Sequence, residues 1–316
     1  MDTDSLGRRG RHKRQPNGKR LHPQPRDWVW LKKLHQHGPL PTSYLHAFTD
    51  DLGKDQARAI KRMADLFHET GLLSRPEQQN DTIDARHNQL IYAISKQGEN
   101  ALRSEGAYSQ NAPSPTGTFK HRVMVACLTA SIELACRQRA DINYMPQHVI
   151  LDRKNAQMRI PVTIHNPVLR RDEQHDLIPD ALFGLEYQMN DRKRFVCYLL
   201  EADRGTEPIT AKSKARKSIW RSLQQYRTLI GKGHYKQHFG LKSGLLVLHV
   251  TTSDVRRNNM ISELEKLSED GSNTYMLFNT ADTFGNFFKP PEPLIDLLTE
   301  PWHRAGKPPF YLDAPK

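Results

Sequence analysis

Three carboxylates flank two apolar runs of this chain at a spacing that would let them grip one cation. The first run, LIPDALFGLEY, carries Asp180 at its start, and the second, RFVCYLLEADRGTEP, closes on Glu201-Ala202-Asp203. Residues two apart on a strand share a face, so Glu201 and Asp203 project together. If the runs pair as a hairpin, Asp180 falls beside the exit of the second strand and completes a cluster. A cluster of that kind suits a hard cation, Mg2+ or Mn2+. The plainer reading of the same residues is a solvated hairpin end with a salt bridge to Arg204.

The elements around this hairpin follow from periodicity. Residues 119–139 form an amphipathic helix that carries Glu133, which is either a further acid for the site or a solvated helix-face residue. Residues 142–150 and 158–164 read as strands. Beyond the hairpin, residues 212–230 read as a helix with a basic start (Lys212, Lys214, Lys217), followed by a buried strand over 244–250. A helix over 259–269 and a strand over 275–279 complete an α/β core with a mixed central sheet, residues 118–288. Residues 289–316 are proline-punctuated and read as a tail on the surface.

The N-terminal third has a different organisation. Residues 1–26 are rich in Arg, Lys, Gly and Pro without large apolar side chains, so a disordered basic arm is expected. Asp27 is placed to N-cap a helix over 27–35, followed by helices over 42–48 and 54–70, the last ended by Gly71. Two short strands, at 72–75 and 89–94, then make a wing. Residues 27–105 thus read as a winged helix-turn-helix, joined to the second domain by a linker at 106–117. Its third helix would present Gln56, Arg58, Lys61 and Arg62 to a DNA major groove, with Arg75, Arg86 and Lys217 as further DNA contacts. The same fold can instead serve dimerisation or protein contact.

Composition favours the nucleic-acid reading. Lys and Arg number 47 against 35 acids among 316 residues, for a formal net charge of +12 and a pI near 9.6. That balance suits a polyanionic partner, nucleic acid before membrane. No long uncharged apolar run and no apolar signal core occur, so a soluble cytoplasmic protein is expected. Cys127, Cys136 and Cys197 have no CxxC spacing and read as small buried hydrophobes of a reducing compartment. Gly231-Lys232-Gly233 lacks P-loop spacing, and the GKGHYKQHFG segment with His234 and His238 reads as a basic loop, not a zinc site.

Pro-Asp, then Glu-x-Asp on antiparallel strands, then a helix and a strand, resembles the PD-(D/E)XK nuclease-like core. More narrowly, a winged helix followed by IPDALF, LLEADRGTEP and KSIWRSLQQY resembles the replication-relaxation family, which includes MobC-like accessory proteins of plasmid mobilisation. The resemblance covers residues 27–279. It implies Asp180 as first metal ligand and Glu201 as second acid. Where active nucleases of this fold place a lysine, this chain has Asp203, a departure that adds negative charge. Asp203 is then a third metal ligand, or Lys212 or Lys214 replaces the missing amine, or the site is silent. The implied function is a DNA-binding accessory protein of plasmid or mobile-element replication or mobilisation. The alternatives are a metal-dependent endonuclease and a winged-helix transcriptional regulator. The implied partners are double-stranded DNA, a relaxase or other transfer protein, and a second copy of the chain.

Overall fold

The computed structural model describes residues 11–52, 55–81, 87–113, 116–166, 170–189, 192–209, 218–285 and 288–314. The protein is of mixed α+β class, and its chain divides into two compact units. The first comprises Met1–Leu134 with Phe287–Leu294, and the second Ala135–Asn286 with Ile295–Lys316.

In the first unit, helix α1 spans Pro25–His37 and starts earlier than the sequence suggests. Pro25 stands at its first position, where a missing N–H costs nothing. Gln24 is the N-cap, and Asp27 occupies the third helical position, where its carboxylate accepts from the Gln24 N–H at 2.8 Å. Strand β1 (Leu40–Pro41) leads into α2 (Thr42–Ala47) and then α3 (Gln56–Asp65), which Asp55 caps. The helical path continues through a wider turn, Leu66–Thr70, and Gly71 stops it at φ +65°. Strands β2 (Leu73–Ser74) and β3 (Ile91–Ile94) pair antiparallel, and β1 joins the other edge of β3. Ser95 caps α4 (Lys96–Ser104). Trp30, Leu34, Tyr44, Phe48, Met63 and Leu102 are fully buried in this unit.

Three expectations fail here for electrostatic and packing reasons. Much of the arm is tied down, because the carbonyls at a helix C-terminus lack intrahelical partners and attract cations. Arg14 donates to the Phe67 and His68 carbonyls at 3.0 and 3.3 Å, and Lys19 pairs with Asp65 at 2.5 Å. Helix α5 (Phe119–Arg137), expected to open the second domain, gives most of its length to the first unit. Its Glu133 is neither a solvated residue nor part of the carboxylate site. It is buried, paired with Lys33, and accepts from Gln36 Nε2 and His37 Nε2 at 2.7 Å each. Burial alone would raise its pKa, but these hydrogen bonds and charges hold it down to about 2.

The second unit is built on a seven-stranded sheet in the order β12-β11-β10-β9-β8-β7-β4. Strand β4 (Ile142–Met145) is shorter than expected, since Pro146 ends it and α6 (Gln147–Asp152) follows. Strands β5 (Ile160–Asn166) and β6 (Arg171–Leu177) form a separate hairpin. Strands β7 (Ala181–Met189) and β8 (Arg192–Ala202) are the expected antiparallel pair. Helix α7 (Ile219–Gly231), capped by Ser218, leads through α8 (His234–Phe239) to β9 (Gly244–Thr251), parallel to β8. Helix α8 lies where a basic loop is expected, set between left-handed Gly233 and Gly240, and it buries Tyr235 and Phe239. Helix α9 (Asp254–Leu267) crosses to β10 (Met276–Thr280), parallel to β9. The expected surface tail instead supplies β11 (Trp302–Arg304) and β12 (Lys307–Phe310), with Trp302 fully buried. A proline-rich strand is compatible with the sheet because it sits at an edge, where ladder N–H groups are dispensable.

Candidate functional site

Each unit carries one candidate surface, and the second unit holds the acids. The register sets Ala181 against Leu200, and the Asp180 N–H donates to the Leu200 carbonyl at 3.0 Å, so Asp180 lies level with Glu201. Glu201 pairs with His249 of β9, and His249 with Phe278 of β10. Asp180, Glu201, His249 and Phe278 therefore form one row across four strands, near the C-terminal ends of the parallel ones. Open α/β sheets place ligands at such ends. The face is the one covered by α7 and α9, since Leu199, Val247, Leu223 and Leu264 share its core.

The acids are engaged with protein groups. Tyr226 of α7 donates its hydroxyl to Glu201, and Asp180 accepts from the Ala202 N–H at 2.8 Å. Burial and the neighbouring Glu201 and Asp180 charges push the Tyr226 phenol well above its ordinary pKa. His249 is buried between Phe278, stacked at 4.9 Å, and Tyr226, edge-on at 5.8 Å. Its Nε2 has no hydrogen-bond partner, and burial lowers its pKa to about 4 against the attraction of Asp203 and Asp180, so the ring is neutral at pH 7.

Asp203 is committed elsewhere. It accepts from Arg256 Nε and from Arg256 Nη2 at 2.9 Å, from Thr251 Oγ1 at 2.7 Å and from the Gly205 N–H at 3.1 Å. Arg256 also donates to the Glu207 carbonyl at 2.5 Å, which clamps the turn after β8 onto α9. Gly205 makes that turn possible at φ +77°. Arg204, expected beside the acids, donates instead to the Phe284 carbonyl at 3.3 Å.

A divalent cation needs several donors converging on one point. Among the described residues no three His, Cys, Asp or Glu side chains do so. With both Asp203 oxygens taken by four donors, this arrangement does not fit Mg2+ or Mn2+ in the expected three-carboxylate site. Lys212, Lys214 and Lys217 lie outside the described residues, as does Arg86. Among the described residues no helix is long and apolar enough to cross a membrane.

The first unit's surface is the N-terminal half of α3. Gln56, Arg58, Ile60 and Lys61 are exposed there, while Ala59 and Met63 face the core. Arg58 makes an exposed ion pair with Asp55 at 3.2 Å. Arg62, expected on the same outer face, is buried: its guanidinium grips Asp27 at 2.6–3.2 Å and donates to the His22 carbonyl at 2.7 Å. Arg75 is buried too. It stacks 4.2 Å over Phe67 and donates to Tyr92 Oη at 2.8 Å and to the Arg11 carbonyl at 2.7 Å. Both arginines therefore hold the unit together and are not presented as surface contacts.

Sequence alone passes over His249 and Arg256, and helical spacing puts Ile60 on the apolar stripe with Met63 and Phe67, whereas the structure leaves it exposed. His249 interrupts an otherwise apolar strand, GLLVLHV, which is a usable signal. Arg256 has none, because its partner lies 53 residues away.

A two-unit α+β chain with an exposed basic helix and strand-end acids is the class defined so far. The sequence model of the replication-relaxation family matches residues 31–245, and the chain belongs to that family. Membership connects it to a replication- or mobilisation-related role. No curated protein and no solved structure gives a significant match.

Proposed function

We propose that this protein is a cytoplasmic DNA-binding accessory factor of plasmid or mobile-element replication or mobilisation. In this reading the first unit is a winged helix-turn-helix that enters the major groove with α3, and duplex DNA is the principal partner. A relaxase or similar transfer protein is the second partner, and a second copy of the chain would match a palindromic site. The observation that carries the reading is the exposed end of α3, where Gln56, Arg58 and Lys61 stand clear of the core. The net charge of +12 supports it.

The second unit, in the same reading, is a nuclease-like domain of PD-(D/E)XK type that no longer cuts. Its hairpin keeps Asp180 and Glu201 at the strand ends, but the acid at the motif's lysine position is neutralised by Arg256. It would serve to bind DNA or partner protein near an origin.

Fluorescence anisotropy with the full chain and a duplex library tests the first part. Binding should weaken steeply with salt, and Arg58→Ala with Lys61→Ala should weaken it and flatten the salt slope by about two phosphate contacts. Absence of salt-dependent binding refutes it. Supercoiled plasmid incubated with Mg2+ or Mn2+ tests the second part and should remain uncut. Nicking that Glu201→Gln abolishes would replace this reading with a metal-dependent endonuclease.

A further inference from the structure

Resting on the DNA-binding reading, we propose that α3 selects A·T base pairs in the major groove through Gln56 and Ile60. Residues four apart on a helix share a face, so Gln56 and Ile60 stack along one strip, with Ala57 and Lys61 beside them. Ile60 is 43 % exposed, an apolar side chain standing in water on the exposed face that also carries Lys61. A surface so charged is a poor patch for burial against another protein, whereas a major groove pairs it with both phosphates and base edges. The thymine C5-methyl group is the apolar feature that groove offers, and Ile60 has the chemistry to cover it. Gln56, at the first helical position, makes no side-chain hydrogen bond with any described residue, so its amide is available to adenine N6 and N7. Ala57, beside them, is small enough to let the helix backbone come close to the bases. Arg58, 84 % exposed and steadied by Asp55, lies off the strip, where phosphates would flank it.

The experiment is selection of full-length protein on random duplexes, followed by atom-level substitution in the selected site. Enrichment of a fixed A·T step is expected. Replacing its thymine by uracil, which removes only the methyl, should cost about fourfold in affinity, and Ile60→Ala should be insensitive to that replacement. Gln56→Ala should lose roughly tenfold on the selected site and nothing on scrambled duplex. Both side chains are exposed, so circular dichroism of the variants should match the parent. Binding without base preference, or a preference that survives both substitutions, overturns this inference and leaves the DNA-binding reading intact. Absence of any duplex binding overturns both. Self-association of the full chain that Ile60→Ala abolishes, together with unchanged affinity for the selected site, assigns the strip to a second copy and overturns the inference.

Discussion

Each unit contains a buried arginine–aspartate pair, and in each pair one member carries a residue type that suggests function. In the first unit the suggestive residue is the arginine. Arg62 sits on a helix of basic character, but it turns inward to neutralise Asp27, which is fully buried at the start of α1. In the second unit the suggestive residue is the aspartate. Asp203 belongs to a strand-end acid motif, yet Arg256 of α9 claims it. The consequences differ. Losing Arg62 to the interior leaves α3 with Gln56, Arg58 and Lys61 outside, so the proposed binding surface survives. Losing Asp203 leaves two acids, and the proposed cation site is no longer complete.

The comparison can be strained by removing one partner at a time. Arg62→Ala leaves the Asp27 carboxylate buried without its counter-ion and should destabilise the first unit by about 3–5 kcal/mol in urea unfolding. An effect under 1 kcal/mol would mean that water reaches Asp27. A slightly smaller effect is expected from pH at His249. Its folded pKa, about 4, lies below its ordinary 6.5, so the unfolded chain takes up the proton first. Its contribution to stability is therefore intact above pH 6.5 and lost as pH falls toward 4, by about 3 kcal/mol in all. His249→Phe should remove that part of the acid slope, read as the difference in urea midpoints at pH 7 and pH 4.5. Arg256→Ala should cost less than Arg62→Ala, about 2–3 kcal/mol, because Asp203 keeps Thr251 Oγ1 and the Gly205 N–H. Equal losses at the two arginines would erase the distinction drawn between the pairs. Tyr226→Phe is the mildest, about 1 kcal/mol in the same assay, from one hydrogen bond to Glu201.

Local features were legible in the sequence and long-range ones were not. The β7–β8 hairpin, the Gly71 stop and the existence of β9 and β10 follow from periodicity and punctuation. Strand β6, RDEQHDL, has almost no apolar face to announce it, because it lies in a hairpin largely open to water. Strand β11 is only three residues long, and β12, KPPF, carries prolines that its edge position tolerates, so neither announces itself. The pairings of Asp203 with Arg256 and of Arg62 with Asp27 span 53 and 35 residues, and no spacing rule reaches that far. The acids were therefore identifiable as residues, while their partners, and so their chemistry, depended on the fold.

The path of the C-terminal segment has a practical corollary. The polypeptide leaves the first unit after Leu134, comes back for Phe287–Leu294 and then departs again to finish the other sheet. There the Gln89 amide donates to the Pro290 and Pro291 carbonyls, and the Leu294 N–H to Ser131 Oγ. No single cut in the backbone can release either unit whole. A stop codon just before residue 287 would remove a strap from one half and two strands from the other. Dissection of this protein into its two units thus calls for a circular permutation or an internal linker, and a simple truncation series would damage both at once.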